Sequence, residues 1–246
     1  MRAGLALVTL VLAAGGCASA SHPPNRADLI RRILASTVQL RSEREGGTQR
    51  AASGVVVATD PASHRVWIVT VRHFLTPSSP QQVFVQLPGQ ERTVPATVMA
   101  VSAADLDLDL AILESQDLDV VPARLKQTAS LGDEVLIAAF PWGERLTLVR
   151  GTVSQIASGS DDTLIAGPAR MVDASVSYGS SGGGVFDART GELVGLVETY
   201  RTAKITIPDL PGRTLSMPVP GETTIVPASV VMRFMLDFGL SRRLTR

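Results

Sequence analysis

Residues 173–197 read DASVSYGSSGGGVFDARTGELVGLV. A glycine-rich polar segment, Tyr178-Gly179-Ser180-Ser181-Gly182-Gly183-Gly184, runs directly into the strand-like Val185-Phe186-Asp187. The turn cluster DARTG then separates that strand from a second apolar run, ELVGLV. Glycine permits tight backbone turns that other residues resist. Taken alone, the segment suits a flexible Gly/Ser hairpin loop as well as a turn where main-chain N–H groups converge.

The surrounding chain repeats this rhythm of short apolar runs and turns. From about residue 37 the runs are TVQL, GVVVA, VWIVT, VFVQL, TVMAV, LAIL, EVLIAAF, LTLVRGTVSQI, ARMVDASV, GGVF, ELVGLVETY and TTIV. DPASH, LPGQ, SQDLD and GSDD fall between them. Many short strands with regular turns predict an all-β domain, as a sandwich or as barrels. Two segments depart from the pattern. Leu29, Ile30, Ile33 and Leu34 have helical spacing and predict a short entry helix over 27–36. Val230, Val231, Phe234, Met235 and Phe238 predict an amphipathic C-terminal α-helix over 227–238, with Pro227 in its first position and Gly239 as its stop. The segment 201–221, RTAKITIPDLPGRTLSMPVPG, reads as a long loop beside an active site or as a partner surface.

Composition bounds the function. The 246 residues are 45% hydrophobic and 19% charged, as in a globular protein with one large all-β domain or two small ones. Lys plus Arg total 23 and Asp plus Glu total 23, so no basic excess marks a nucleic-acid surface. Cys17 is the single cysteine, which excludes an intramolecular disulfide. Arg2 precedes an uncharged apolar stretch, Ala3 to Ala14, too short to span a bilayer. Ala14-Gly15-Gly16-Cys17 resembles a bacterial lipoprotein signal, with Ala14 where Leu is usual. The implied organisation is a signal peptide over 1–17 with Cys17 lipidated, a tether over 18–27 and a folded domain over 28–246. Ala18 after the cysteine implies a periplasm-facing anchor in the outer membrane. An ordinary secretory signal cleaved near Ala18 or Ala20 is the alternative.

The chemistry centres on Ser181. A serine hydroxyl is a weak nucleophile at neutral pH and needs a base and a site for the developing oxyanion. The N–H groups of Gly179 and Ser181 are the candidate oxyanion hole, and one such donor contributes roughly 3–4 kcal/mol to the transition state. Of the three histidines, His22 lies in the tether, His64 in a turn, and His73 directly after the apolar run VWIVT. His73 is therefore the candidate base. In LDLDLAIL, Asp105, Asp107 and Asp109 alternate and are expected on one strand face. Asp109 leads into Leu-Ala-Ile-Leu and is the best placed for burial, where a carboxylate needs a hydrogen-bonding partner such as a histidine. Asp105 and Asp107 read as a solvated edge. The order is His73, Asp109, Ser181, with the first two in the first half of the strand-rich region. No Cys/His cluster or phosphate-binding glycine spacing is present in the sequence, so neither a metal nor a cofactor is expected.

The four segments TVRH, DLAIL, DASVSYGSSGG and GELVG, in this order, resemble the trypsin-like peptidases and, within them, the HtrA/Deg branch. The resemblance covers about residues 28–240. It implies a chymotrypsin-like double six-stranded β-barrel, with barrel 1 over about 37–118, barrel 2 over about 130–226 and the active site between them. It further implies His73 as general base and then acid, Asp109 as the orienting carboxylate, Ser181 as nucleophile, and protein or peptide substrates. Three features depart from the family pattern. Ser180 replaces the usual Asn or Asp, so activation by a new N-terminus is not expected. No PDZ domain is expected after the final helix. Phe74 stands where a smaller residue is common. Counting back from the nucleophile places Ser175 at the base of a specificity pocket, with Glu198 and Tyr200 flanking it. Ser175 is not an acid, so no strong preference for Arg or Lys is expected. The alternative is a catalytically silent protease fold that binds a partner. An α/β-hydrolase is excluded, because no histidine follows Ser181.

Overall fold

The computed structural model describes residues 25–44, 47, 49–76, 82–103, 108–157, 165–206 and 214–240. Cys17, most of the tether, Asp105 and Asp107 lie outside the described residues. After helix α1 (Arg26–Ser36), strands β1 (Thr37–Glu43), β2 (Gln49–Asp60), β3 (Arg65–Thr70), β4 (Gln82–Gln86), β5 (Thr93–Val101) and β6 (Ala111–Gln116) close into a barrel, in the order β1-β2-β3-β6-β5-β4. A second barrel has the order β11-β14-β13-β12-β8-β9. Its strands are β8 (Glu134–Ala139), β9 (Thr147–Ile156), β11 (Ala169–Asp173), β12 (Gly184–Asp187), β13 (Leu193–Thr206) and β14 (Thr214–Pro227). A two-stranded sheet pairs β7 (Ala129–Ser130) with β10 (Ala166–Gly167). Helix α2 (Ala228–Asp237) is the last helix or strand among the described residues. The double six-stranded barrel implied by the resemblance is thus the observed fold.

Burial explains why several runs are continuously apolar rather than alternating. In β2 and β3, Val56, Val66 and Ile68 fill barrel 1, while Val55, Val57, Trp67 and Val69 face the layer between the barrels. In β8, Val135 and Ile137 fill barrel 2, while Leu136 and Ala138 face the same middle layer. A strand covered on both faces reads as an unbroken apolar run. Leu29 and Ile33 of α1 and Val231 and Met235 of α2 complete this middle layer. Each large apolar side chain fully buried there contributes roughly 1.5–3 kcal/mol. The layer therefore holds the two barrels, and the cleft between them, in one arrangement.

Two expectations are corrected. Segment 201–221 is not a long loop: its described residues belong to the paired strands β13 and β14, in register from Thr202↔Pro218 to Thr206↔Thr214. Pro218 and Pro220 are tolerated because this end of β14 has β13 on one side only, whereas β11 pairs further along, at Thr223 and Thr224. Pro227 is the last residue of β14, not the first of the helix, and its extended backbone precedes α2.

One ion pair anchors the loop after β12. Asp187 Oδ1 accepts the N–H groups of Arg189 (2.8 Å) and Thr190 (2.9 Å), and Oδ2 lies 2.5 Å from Lys126 Nζ. Burial is the largest influence on Asp187 and raises its pKa. The Lys126 bond and the two backbone bonds outweigh it, so the carboxyl is held below the ordinary value. Burial likewise lowers Lys126, but its bonds to Asp187 and Asp133 hold it above the ordinary value. The pair's stabilisation is therefore full between the ordinary carboxyl and ammonium values of about 3.9 and 10.4. It is lost as pH falls through the lowered Asp187 value or rises through the raised Lys126 value. Asp187→Asn is expected to destabilise by about 1.5–3 kcal/mol at pH 7, because it removes the charge-assisted bond and leaves Lys126 only the longer contact with Asp133. Urea unfolding should show that difference narrowing in strong acid.

Candidate active site

β3 delivers the chain into a single 3-10 turn, Arg72–Phe74, and this turn presents His73. The His73 main-chain N–H donates to Asp109 Oδ1 (2.8 Å), and the His73 ring Nδ1 lies 2.5 Å from Asp109 Oδ2. One carboxylate thus grips both the backbone and the ring of His73. The Asp109 side chain is 15% exposed. Burial is the largest influence on it and raises its pKa. The ring bond, the imidazole's charge, the backbone bond and Arg72 together outweigh burial, so Asp109 lies below the ordinary carboxyl value. It is an anion throughout the neutral range.

Asp109 is not on a strand, as the alternating LDLDLAIL suggested. It sits in the coil just before β6. Ser102 causes this. Its N–H donates to Leu110 O (2.9 Å), its Oγ donates to Leu108 O (2.6 Å), and Leu110 N–H donates to Ser102 Oγ (3.1 Å). These bonds satisfy the backbone on either side of Asp109 without a strand ladder and turn the carboxylate toward His73.

Ser181 lies in the turn before β12, stitched to both barrels. Ser53 N–H of β2 donates to Ser181 O (2.9 Å), and Gly182 N–H donates to Val197 O of β13 (2.7 Å). Gly182 has φ +80°, and a Cβ there would lie 2.2 Å from Ser53 O and 2.3 Å from Thr70 Oγ1. Only glycine lets the Ser181 turn approach barrel 1 this closely. Gly179 has φ +89°, and a Cβ there would meet Trp142 N at 2.6 Å.

The carbonyls around Gly179 are held by fixed donors. Tyr178 O accepts from Trp142 N–H (2.7 Å), and Gly179 O accepts from Ser53 Oγ (2.9 Å), which itself accepts from Phe140 N–H (2.8 Å). Among the described residues, the N–H groups of Gly179 and Ser181 have no acceptor. They are the two groups expected from the sequence to form an oxyanion hole. Ser53 and Trp142 were not legible as supports of this turn, because their contacts span long stretches of chain and leave no local pattern.

A pocket of about 250 Å³ joins these elements, with Arg50, Ala52, His73, Tyr178, Ser181 and Tyr200 on its walls. Tyr200, expected beside a specificity pocket, is on this wall. Ser175 is exposed and Glu198 half-buried, and neither belongs to this wall. Among the described residues, Ser181 Oγ makes no hydrogen bond, and no cluster of three His, Cys, Asp or Glu side chains is placed to hold a metal ion. An imidazole on a half-buried carboxylate, a serine and two unoccupied N–H groups beside one pocket are the parts that acyl transfer requires.

Three solved structures share the fold. An HtrA-type protease, solved with a tripeptide, is 18% identical with a TM-score of 0.65, the match covering 89% of this chain and 65% of that one. This chain therefore spans just under two thirds of that protein's length. The Rv3671c protease of M. tuberculosis in its active form is 18% identical with a TM-score of 0.64, covering 98% and 96% of the two chains. Its inactive form is 20% identical with a TM-score of 0.60, covering 86% and 93%. The trypsin-like peptidase domain family matches residues 52–196, more than half of the chain. The chain is thus a member of the trypsin-like peptidase domain family.

Proposed function

We propose that this protein is a serine endopeptidase that cleaves extended segments of cell-envelope proteins through an acyl-enzyme on Ser181. The observation that carries this reading is the His73–Asp109 pair beside the same pocket as Ser181 and the free N–H groups of Gly179 and Ser181. In this mechanism His73 takes the Ser181 proton as the hydroxyl attacks the scissile carbonyl. Gly179 and Ser181 N–H bind the resulting oxyanion. His73 then gives its proton to the departing amine, and a water activated at His73 hydrolyses the ester. Asp109 stays ionised, holding the ring tautomer and offsetting the imidazolium charge. Digestion of unfolded casein by the wild type and by His73→Ala tests this reading. Cleavage by the wild type that is lost in the variant supports it.

The second reading is a catalytically silent binding protein of the same fold. It draws on the missing hydrogen bond from Ser181 Oγ to His73. A base that engages its nucleophile only when substrate arrives accounts for the same observation, since such bonds are often long without substrate.

The setting in this proposal is the periplasmic side of the outer membrane, with Cys17 lipidated and residues 18–27 as tether. It rests on the sequence of residues 1–27. Cys17→Ser is expected to abolish incorporation of labelled palmitate and to move the protein out of the membrane fraction. Unchanged labelling would remove Cys17 from this role.

A further inference from the structure

The rim of the pocket beside His73 is cationic. Arg50 Nη1 donates to His73 O (3.1 Å) and Thr76 O (2.6 Å), and Arg44 Nη2 donates to Phe74 O (3.1 Å) and Thr76 O (3.1 Å). All these acceptors are neutral carbonyls. They fix both guanidinium groups on the His73 turn, and the two that hold Arg50 leave its charge uncancelled. Among the described residues, Arg50 has no carboxylate partner. The nearby acid Glu43 accepts from Gln49 Nε2 and pairs with Gln49 in register, whereas Arg50 pairs with Ser42, which puts Glu43 on the other strand face. Burial, and next the Arg50 charge, lower the pKa of Arg44, while Tyr178 pulls the other way.

A guanidinium whose bonds go to neutral carbonyls favours an anion in the pocket that it lines. Arg50 lines the pocket that also holds His73 and Ser181. Its Nε and Nη2 make no hydrogen bond among the described residues, which leaves donors in the fork geometry that a carboxylate fits. The side of the scissile bond follows from His73. His73 protonates the departing amine, so the substrate leaving on that amine lies nearest the His73 turn and the arginine fixed to it.

We infer that Arg50 selects substrates with an aspartate or glutamate within the first few residues after the scissile bond. This preference presupposes the serine-peptidase reading above and adds a substrate class to it. A charge-assisted hydrogen bond of this kind changes discrimination by about tenfold to a hundredfold.

The test separates binding from turnover. Fluorescent decapeptide pools of Ala, Val, Ser and Glu, and matched pools with Gln in place of Glu, are titrated against full-length Ser181→Ala by anisotropy. The Glu pool is expected to bind at least about tenfold tighter, with an advantage that shrinks as salt rises. That ratio should collapse in the Arg50→Gln background and persist in Arg50→Lys, which loses the carbonyl geometry but keeps the charge. A merely structural role for Arg50 would weaken both pools alike and leave the ratio unmoved. Equal affinity for the two pools, or a Glu advantage that survives Arg50→Gln, overturns the inference. In parallel, cut sites of the wild type in casein are mapped by mass spectrometry. Acidic residues enriched just after the cut support the inference, and cleavage without that enrichment overturns it while leaving the peptidase reading intact. An absence of cleavage beside a clear Glu advantage in binding has the opposite meaning: the anion site stands and the catalytic reading fails.

Discussion

Ser181→Ala is expected to abolish hydrolysis, with a fall in kcat on the order of 10⁶-fold, while the fold stays intact. The size follows from the role of the hydroxyl, since the base and the orienting carboxylate have nothing to act on without it. The retention of fold follows from what Ser181 Oγ touches. It makes no hydrogen bond among the described residues, and the bonds that fix the turn belong to the backbone, from Ser53 N–H to Ser181 O and from Gly182 N–H to Val197 O. Stability in urea should therefore change by less than about 0.5 kcal/mol. Casein digestion and urea unfolding of the same preparation check both halves. Cleavage that survives in Ser181→Ala would remove Ser181 from the nucleophile's role.

Asp109→Asn is expected to lower kcat by about 10⁴-fold with little change in binding. Asp109 accepts two N–H groups of one residue, the main-chain N–H and the ring Nδ1–H of His73. An amide supplies one accepting oxygen and one NH₂ group. If the oxygen keeps the backbone bond, the NH₂ faces Nδ1 and the ring proton moves to Nε2. The nitrogen that must take the Ser181 proton is then already protonated. The lowered pKa of Asp109 works in the same direction, because it keeps the acceptor ionised well below neutral pH. Steady-state kinetics on one peptide should show the loss in kcat and not in KM. A loss in KM alone would make Asp109 a substrate-binding residue instead.

The all-β character was legible because strands buried on both faces leave unbroken apolar runs, such as GVVVA and EVLIAAF, whereas the choice of two barrels over a sandwich came from the resemblance of the four ordered segments. His73 and Ser181 were legible because each follows or precedes such a run at a turn. Asp109 was expected to be a buried strand residue and is instead half-buried in the coil before β6. The alternation of LDLDLAIL carries the signature of a strand, and the Ser102 bonds that override it come from the end of β5. The β13–β14 pairing was missed because its prolines and exposed residues leave no apolar run of the kind that marks the other strands. Ser53 and Trp142 show a different limit. The Ser53 bond to Gly179 O joins the two barrels and the Trp142 bond to Tyr178 O joins two connections of the second barrel, and a polar residue in an apolar run or a tryptophan between Pro141 and Gly143 carries no local mark of such a contact. Arg50 belongs with them, since its place beside His73 depends on how the β1–β2 hairpin folds over the turn.

The most direct test of an activated serine is labelling of the purified protein with a fluorophosphonate probe, beside Ser181→Ala and His73→Ala. The wild type should label, and both variants should not, because the reaction needs the Ser181 hydroxyl, the His73 base and the N–H groups of Gly179 and Ser181 together. A well-folded wild type that takes no label, or a label that persists in Ser181→Ala, would contradict the assignment of Ser181 as the nucleophile.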